Sequence, residues 1–222
     1  YQYVLLQYYQ AIKQIWAWSL SMHWKEHYKK NTVSAEEAVK LVKSGDTVAV
    51  GESYPEPTVL MGALAARRNE LSNIRVMGIN PGHDPGWYEP DWSNSFNVVV
   101  QNYLGQVARP AYRNNLIDYY AAIYSQQFKH YEEHRDPKQH LDVNLALIST
   151  PDEHGFCSFG AGVWDKRKMA EVATTVLAQV DPSLIRTYGT NYIHVSAHMD
   201  LTGPPPLLFT CNVTGVLILK KT

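Results

Sequence analysis

The order of apolar and polar positions divides the chain into short alternating elements. Val143 to Ile148 is almost wholly apolar and rich in β-formers. That is the pattern of a strand buried on both faces of a parallel sheet, and Pro151, Asp152 and Gly155 then break the chain. Asp46 to Val50, Ile74 to Ile79, Phe96 to Val100, Asp118 to Tyr124, Val176 to Val180 and Tyr192 to Val195 read as further strands. Helical patterns lie between them. Ser34, with Glu37 three residues on, forms a capping box ahead of the stripe Ala35, Ala38, Val39, Val42, which Gly45 ends. Pro57 suits the first turn of a helix over TVLMGALAARRNEL. A polar helix runs through His134 to the break at Asp136-Pro137, and Lys166 to Thr175 reads as another helix. The loop from Asn80 to Gly86 runs on through Trp87, Tyr88 and Trp92. Loops of that length are functional or disordered, and these aromatics argue for an ordered one covering a pocket or a partner surface. The rhythm predicts an α/β fold: a mainly parallel, Rossmann-like open sheet with helices on both faces. The loops after Val50 and Ile148 should open at one edge, because parallel strands place their C-terminal ends together.

The two ends of the chain differ from this core. Residues 1–21 are apolar but carry Gln7, Gln10, Lys13 and Gln14, too many polar positions for a membrane span, and they lack the features of a signal peptide. Positions 7, 10 and 14 share one helical face, leaving Leu5, Tyr9, Ile12 and Trp16 on the other. This predicts an amphipathic extension, docked on its own domain or on a partner. Residues 22–200 form the α/β domain. Residues 201–222 are a divergent tail with a Pro-rich turn at 204–206 and one extra strand, Val213 to Leu219.

Composition narrows the function classes. In 222 residues, 20 Lys+Arg stand against 21 Asp+Glu, which leaves no basic field for nucleic acid. Cys157 and Cys211 give neither a disulfide framework nor zinc-ligand spacing, and predict a reducing, cytoplasmic setting. No dinucleotide fingerprint or Walker loop follows a strand.

The chemistry that remains sits at strand ends. Gly51 opens a loop that leads into the helix at Pro57, and a helix N-terminus behind a strand offers free N–H groups and a positive dipole end to a thioester oxygen, carboxylate or phosphate. Gly155 lets the backbone turn tightly, and Ser158 can donate a hydrogen bond. Glu52, Glu56, Asp152 and Glu153 are placed for acid/base work, or for capping turns. Cys157 beside His154 is a nucleophile if deprotonated, and otherwise a small buried hydrophobe next to Phe156 and Phe159. H-x-x-E-H, a zinc-peptidase pattern, occurs at His23, Glu26 and His27 and again at His130, Glu133 and His134, in segments that read as charged surface.

Three stretches carry a family resemblance. P-D-E-H-G-x-C-S-x-G from Pro151, the first-strand loop with Gly51, Glu56-Pro57 and Leu60, and LAQVDPSLIRTYGTNYIHVS from Leu177 resemble the N-terminal half of the acetyl-CoA hydrolase/transferase family. This is the acetate and 4-hydroxybutyrate CoA-transferase group of class I CoA-transferases, and the resemblance runs from about Met22 to Ser196. Pro55 stands where these proteins usually have glycine. The resemblance implies movement of coenzyme A between an acyl-CoA thioester and a small carboxylic acid through a glutamyl-CoA intermediate, the thioester being substrate with no bound cofactor or metal. It puts the glutamate on a second, C-terminal α/β domain or subunit, in a homo- or hetero-oligomer, so that no catalytic residue is expected in this chain. The substrate-binding residues it implies here are Gly51, Glu56, Pro57, Asp152, His154, Gly155 and Ser158. The other reading is a non-catalytic relative that binds acyl-CoA or a protein.

Overall fold

A computed structural model describes residues 24–29, 31–51, 55–123, 140–162 and 166–195, with the backbone of two later strands. Its frame is one sheet built from β1 (Thr47–Val50), β2 (Ile74–Ile79), β3 (Phe96–Gln101), β4 (Asp118–Tyr120), β5 (Val143–Ser149), β7 (Thr175–Asp181), β9 (Leu207–Phe209) and β10 (Gly215–Lys220). They lie in the order β4-β3-β2-β1-β5-β7-β10-β9. The six from β4 to β7 are mutually parallel. β10 pairs antiparallel with β7, and β9 with β10. The chain therefore winds outward from β1 through β2 and β3 to β4, returns to place β5 against the other side of β1, and winds outward again.

Every residue of β1 and β5 is buried, as continuous apolar runs require when helices cover both faces. Val48, Val50, Leu145 and Leu177 point to the face covered by α1 (Ala35–Val39), α2 (Thr58–Ala66) and α3 (Gly105–Arg113). Ala49, Ile148, Val176 and Val180 point to the face covered by α4 (Lys166–Val172) and the helical residues 24–29. Each Val, Leu or Ile so enclosed contributes about 1.5–3 kcal/mol, which makes this two-sided core the main stabilising term.

Several expectations are corrected. The strand from Asp118 ends at Tyr120 rather than Tyr124. α4 stops at Val172, not Thr175, because Thr174 and Thr175 donate their N–H groups to Leu141 and Asp142 and are drawn into the sheet. Tyr192 does not begin another strand of the main sheet: β8 (Tyr192–His194) pairs antiparallel with β6 (Phe156–Ser158) in a separate ribbon. α3 was not legible, since its sequence is polar, contains Pro110 and buries only Ala108 and Ala111. The capping box is half made. Ser34 accepts from the Glu37 N–H at 3.2 Å, but the Glu37 carboxylate pairs with Lys40 instead of returning to the cap. The aromatics of the 80–92 loop do not form a cover: Trp87 and Tyr88 are buried in the core, and Trp87 and Trp92 both lie tilted against Phe96, with ring centroids 5.8 and 5.9 Å away. The extra strand of the tail is present as β10. Residues 1–21 and the polar helix through His134 fall outside the described residues. No described helix is long and apolar enough to cross a membrane.

Candidate functional site

Because β1 is flanked by β2 on one side and β5 on the other, the sheet reverses its winding between β1 and β5. Parallel open sheets hold ligands in the crevice outside the strand ends at such a reversal. The loops after Val50 and Ser149 open there together, as expected.

Gly51 follows β1 at this reversal and extends its pairing with β5. Its N–H donates to the Leu145 carbonyl at 3.1 Å, and a Cβ would lie 3.7 Å from Lys166 Cε and 4.0 Å from Pro57 Cδ. Lys166, at the start of α4, is only 1 % exposed and donates through Nζ to the Pro55 carbonyl at 3.1 Å. It fixes the stiff Pro55–Pro57 corner from below. Glu56 points away from this backbone towards the loop after β2, where Oε1 accepts the Gly82 N–H at 3.1 Å and Oε2 lies 3.5 Å from where a Gly82 Cβ would be. Burial raises the Glu56 carboxyl to about 7, against the pull of the Gly82 and His83 N–H groups and of Lys166, which favour the ionised form. The buried phenol of Tyr88 is pushed well above its ordinary range by burial, and the charge of Glu56 adds to the shift. Carboxyl groups shifted in this way are enriched at functional sites, though structural networks shift them too.

The helix terminus behind Pro57 is not open. Thr58 donates to the Glu56 carbonyl at 2.9 Å, and the Val59 and Leu60 N–H groups both converge on Oε1 of Gln179, at 3.1 and 3.4 Å. Gln179 rises from β7 and occupies the position an anion would take. This corrects the expectation of free N–H groups at Pro57.

The second group of sequence-predicted residues forms a separately bonded turn. Asp152 Oδ1 accepts from the His154 and Phe156 N–H groups, each at 2.9 Å, and Oδ2 pairs with Arg186 at 3.1 Å. Arg186 also donates to Ser149 Oγ and to the Thr150 and Phe156 carbonyls, so a single guanidinium ties the end of β5 to β6. Gly155 has φ +88, and a Cβ there would meet His194 Nε2 at 2.8 Å and Trp24 Cγ at 2.9 Å. The chain itself, not a ligand, fills the space glycine leaves. Ser158 is fully buried, its hydroxyl accepting from Gly160 at 3.1 Å and Thr187 at 3.3 Å. His154 is exposed and reaches Glu153 at 3.4 Å. Cys157 is fully buried, and burial pushes its thiol upward, which suits the small-hydrophobe reading. A cleft of about 350 Å³ lined by Asp152, Phe156, Arg167, Gly189, Thr190 and Tyr192 runs beside this turn.

Lys166, Gln179 and Arg186 escaped the sequence reading. Lys166 lies in the charged run Asp165-Lys-Arg-Lys168, which reads as a solvated surface, and Gln179 is a lone polar residue in an apolar strand. Among the described residues no three His, Cys, Asp or Glu side chains are grouped to hold a metal. Of the H-x-x-E-H candidates, His23 and the whole of 130–134 lie outside the described residues.

Residues 19–200 match the family described as the acetyl-CoA hydrolase/transferase N-terminal domain. The chain is 29% identical over 175 residues to 4-hydroxybutyrate coenzyme A transferase of Clostridium kluyveri, covering 79% of this chain and 40% of that protein. It is 32% identical over 190 residues to butyryl-CoA:acetate CoA-transferase of Anaerostipes caccae, covering 79% of this chain and 39% of that one. Among solved structures, RipA from Yersinia pestis superposes with a TM-score of 0.68 at 22% identity, over 77% of this chain and 41% of RipA. A 4-hydroxybutyrate CoA-transferase from Porphyromonas gingivalis gives 0.53 at 24% identity, over 78% and 38%. These structures share the fold. The chain spans about 40% of the length of the curated relatives it matches.

Proposed function

Because the chain belongs to the acetyl-CoA hydrolase/transferase family, to whose N-terminal domain it corresponds, we propose that it forms the acid-binding half of a CoA-transferase. CoA passes between an acyl-CoA thioester and a short carboxylic acid, and the nucleophilic glutamate comes from a second domain or subunit that closes over the β1–β5 crevice. The carboxylate of that glutamate attacks the thioester carbonyl and releases CoA thiolate. The thiolate attacks the resulting anhydride at the glutamyl carbon, freeing the first acid, and the steps then run in reverse with the second acid. This chain supplies Gly51, Pro57 and Glu56 as one wall. The Asp152 to Ser158 turn, with His154 at its surface, supplies the other, held by Arg186. The buried thiol of Cys157 agrees with a reducing, cytoplasmic setting.

The observation that carries this reading is the match of residues 19–200 to that family's N-terminal domain, on a parallel sheet whose winding reverses between β1 and β5. The test is exchange of CoA between butyryl-CoA and labelled acetate, measured on the chain alone and with a C-terminal family domain supplied in trans or by fusion. Exchange should be absent in the first case and present in the second, with a glutamyl-CoA adduct trapped by borohydride on the added domain. Exchange or an adduct on the chain alone would refute the division of labour.

A further inference from the structure

We propose that the open edge of β4 is a pairing surface for a second copy of this chain, the two strands running antiparallel about a twofold axis at Tyr119. The proposal is independent of the transferase reading. β4 ends the parallel part of the sheet, and its register with β3 settles which of its backbone groups face outward. The Tyr120 carbonyl accepts the Asn102 N–H at 3.1 Å, so Tyr120 turns its polar backbone towards β3. Successive residues of a strand turn these groups to opposite sides. Tyr119 therefore presents its N–H and C=O to the open side, where no described residue pairs with them. Edges left open in this way are commonly blunted by lysine, proline or a bulge. From Asn114 to Ile123 there is no Lys or Pro, and Asp118 is the sole charge.

The side chains at this edge are those of an interface. Five of the nine large hydrophobic residues that are exposed among the described ones lie here: Tyr103, Tyr112, Tyr119, Tyr120 and Ile123. The Tyr119 hydroxyl donates to the Asn102 carbonyl at 2.9 Å, and its ring meets Tyr112 of α3 edge-on at 5.8 Å, so these aromatics are ordered before any partner arrives. Tyrosines held in this way supply large contact area at small entropic cost. Each of the five is 40 to 68 % exposed, which at about 150–250 Å² for a full aromatic side chain leaves roughly 500 Å² per copy. Two copies together bury about 1,000 Å², the area from which a specific interface begins. The occupant is a second copy because the edge complements itself. With Tyr119 facing the same residue of the second copy, each donates its N–H to the other's C=O, as in the closely spaced pair of an antiparallel ladder. Their rings, on the α3 face, then form a cross-strand aromatic pair. On the other face Asp118 lies opposite Tyr120 of the second copy, so no like charges meet directly.

The test is sedimentation velocity of the chain from about 1 to 100 µM, a span that covers a micromolar dissociation constant, with circular dichroism confirming that each variant is folded. The wild type should pass from monomer to dimer over this range, and the Tyr119 amide should gain hydrogen-exchange protection as it does. Tyr119→Pro removes the outward N–H and leaves the ladder to β3 intact, since proline is tolerated where an edge strand faces solvent. It should raise the dissociation constant at least about tenfold, through the loss of two backbone hydrogen bonds. Tyr120→Asp sets a carboxylate against Asp118 of the second copy and should weaken the dimer. Tyr120→Lys sets an ammonium there and should hold the dimer more tightly than Tyr120→Asp. If Tyr119→Pro fails to fold, the contrast at position 120 decides. A wild type that stays monomeric throughout would overturn the inference and leave the edge to another kind of chain. A dimer indifferent to these substitutions, or an equal effect of Tyr120→Asp and Tyr120→Lys, would overturn it as well.

Discussion

At the scale of single residues, the carboxyl of Glu56 links the site to stability. Its ordinary value is 4.5 and the folded protein raises it to about 7. Between these values the folded chain holds a proton that the unfolded chain has released, so this contribution is complete below pH 4.5 and is lost as pH rises through about 7. Glu56→Gln stays neutral throughout. Relative to wild type it should therefore gain about 1–2 kcal/mol between pH 5 and 8.5, a figure reduced from the full shift at about 1.4 kcal/mol per unit because part of the group faces water. Urea midpoints at the two pH values measure it, and a difference that does not change with pH would contradict the assignment. Gly51, Glu56 and Pro57 were legible because a buried strand, a short loop and a helix start form a recognisable unit. Lys166 was not, since nothing in a run of alternating charge shows which lysine turns inward, and only the fold places its ammonium beneath Pro55.

At the scale of elements, the most consequential joint is the one between α2 and β7. Gln179 reaches across 120 residues of sequence to close the first turn of the helix. Replacing it by leucine keeps the bulk but leaves the Val59 and Leu60 N–H groups without acceptors, which costs about 1–3 kcal/mol when such groups are buried. Thermal denaturation should show the loss, and hydrogen exchange should localise it to the amides of Val59 and Leu60. Protection unchanged at both amides would mean that another acceptor takes over. The strands of the sheet were readable because continuous apolar runs have few alternatives. The β6–β8 ribbon was not, because its pairing joins three-residue segments far apart in sequence and is set by Arg186 and Asp152 rather than by periodicity. Ser158 read as a donor towards a ligand for the same reason: its side chain faces inward only once that ribbon forms.

At the scale of the whole molecule, stability is concentrated where β1, β5 and β7 lie side by side under helices on both faces. Their amides should exchange slowest of all, with β4, whose residues are all exposed, among the fastest of the parallel strands. Native-state hydrogen exchange resolved by strand measures this order, and a most-protected β4 would reverse the account of the core. The central seam has a further consequence during biosynthesis. Thr47 is bonded to Asp142, 95 residues further along, so β1 leaves the ribosome well before the strand that seals its second edge. At about 5–20 residues per second, that edge waits on the order of 5–20 s with its hydrogen-bonding groups unpaired. The nascent first half is thus an open-edged sheet. It depends on prompt elongation, or on a chaperone's shelter, until residue 143 arrives to close it.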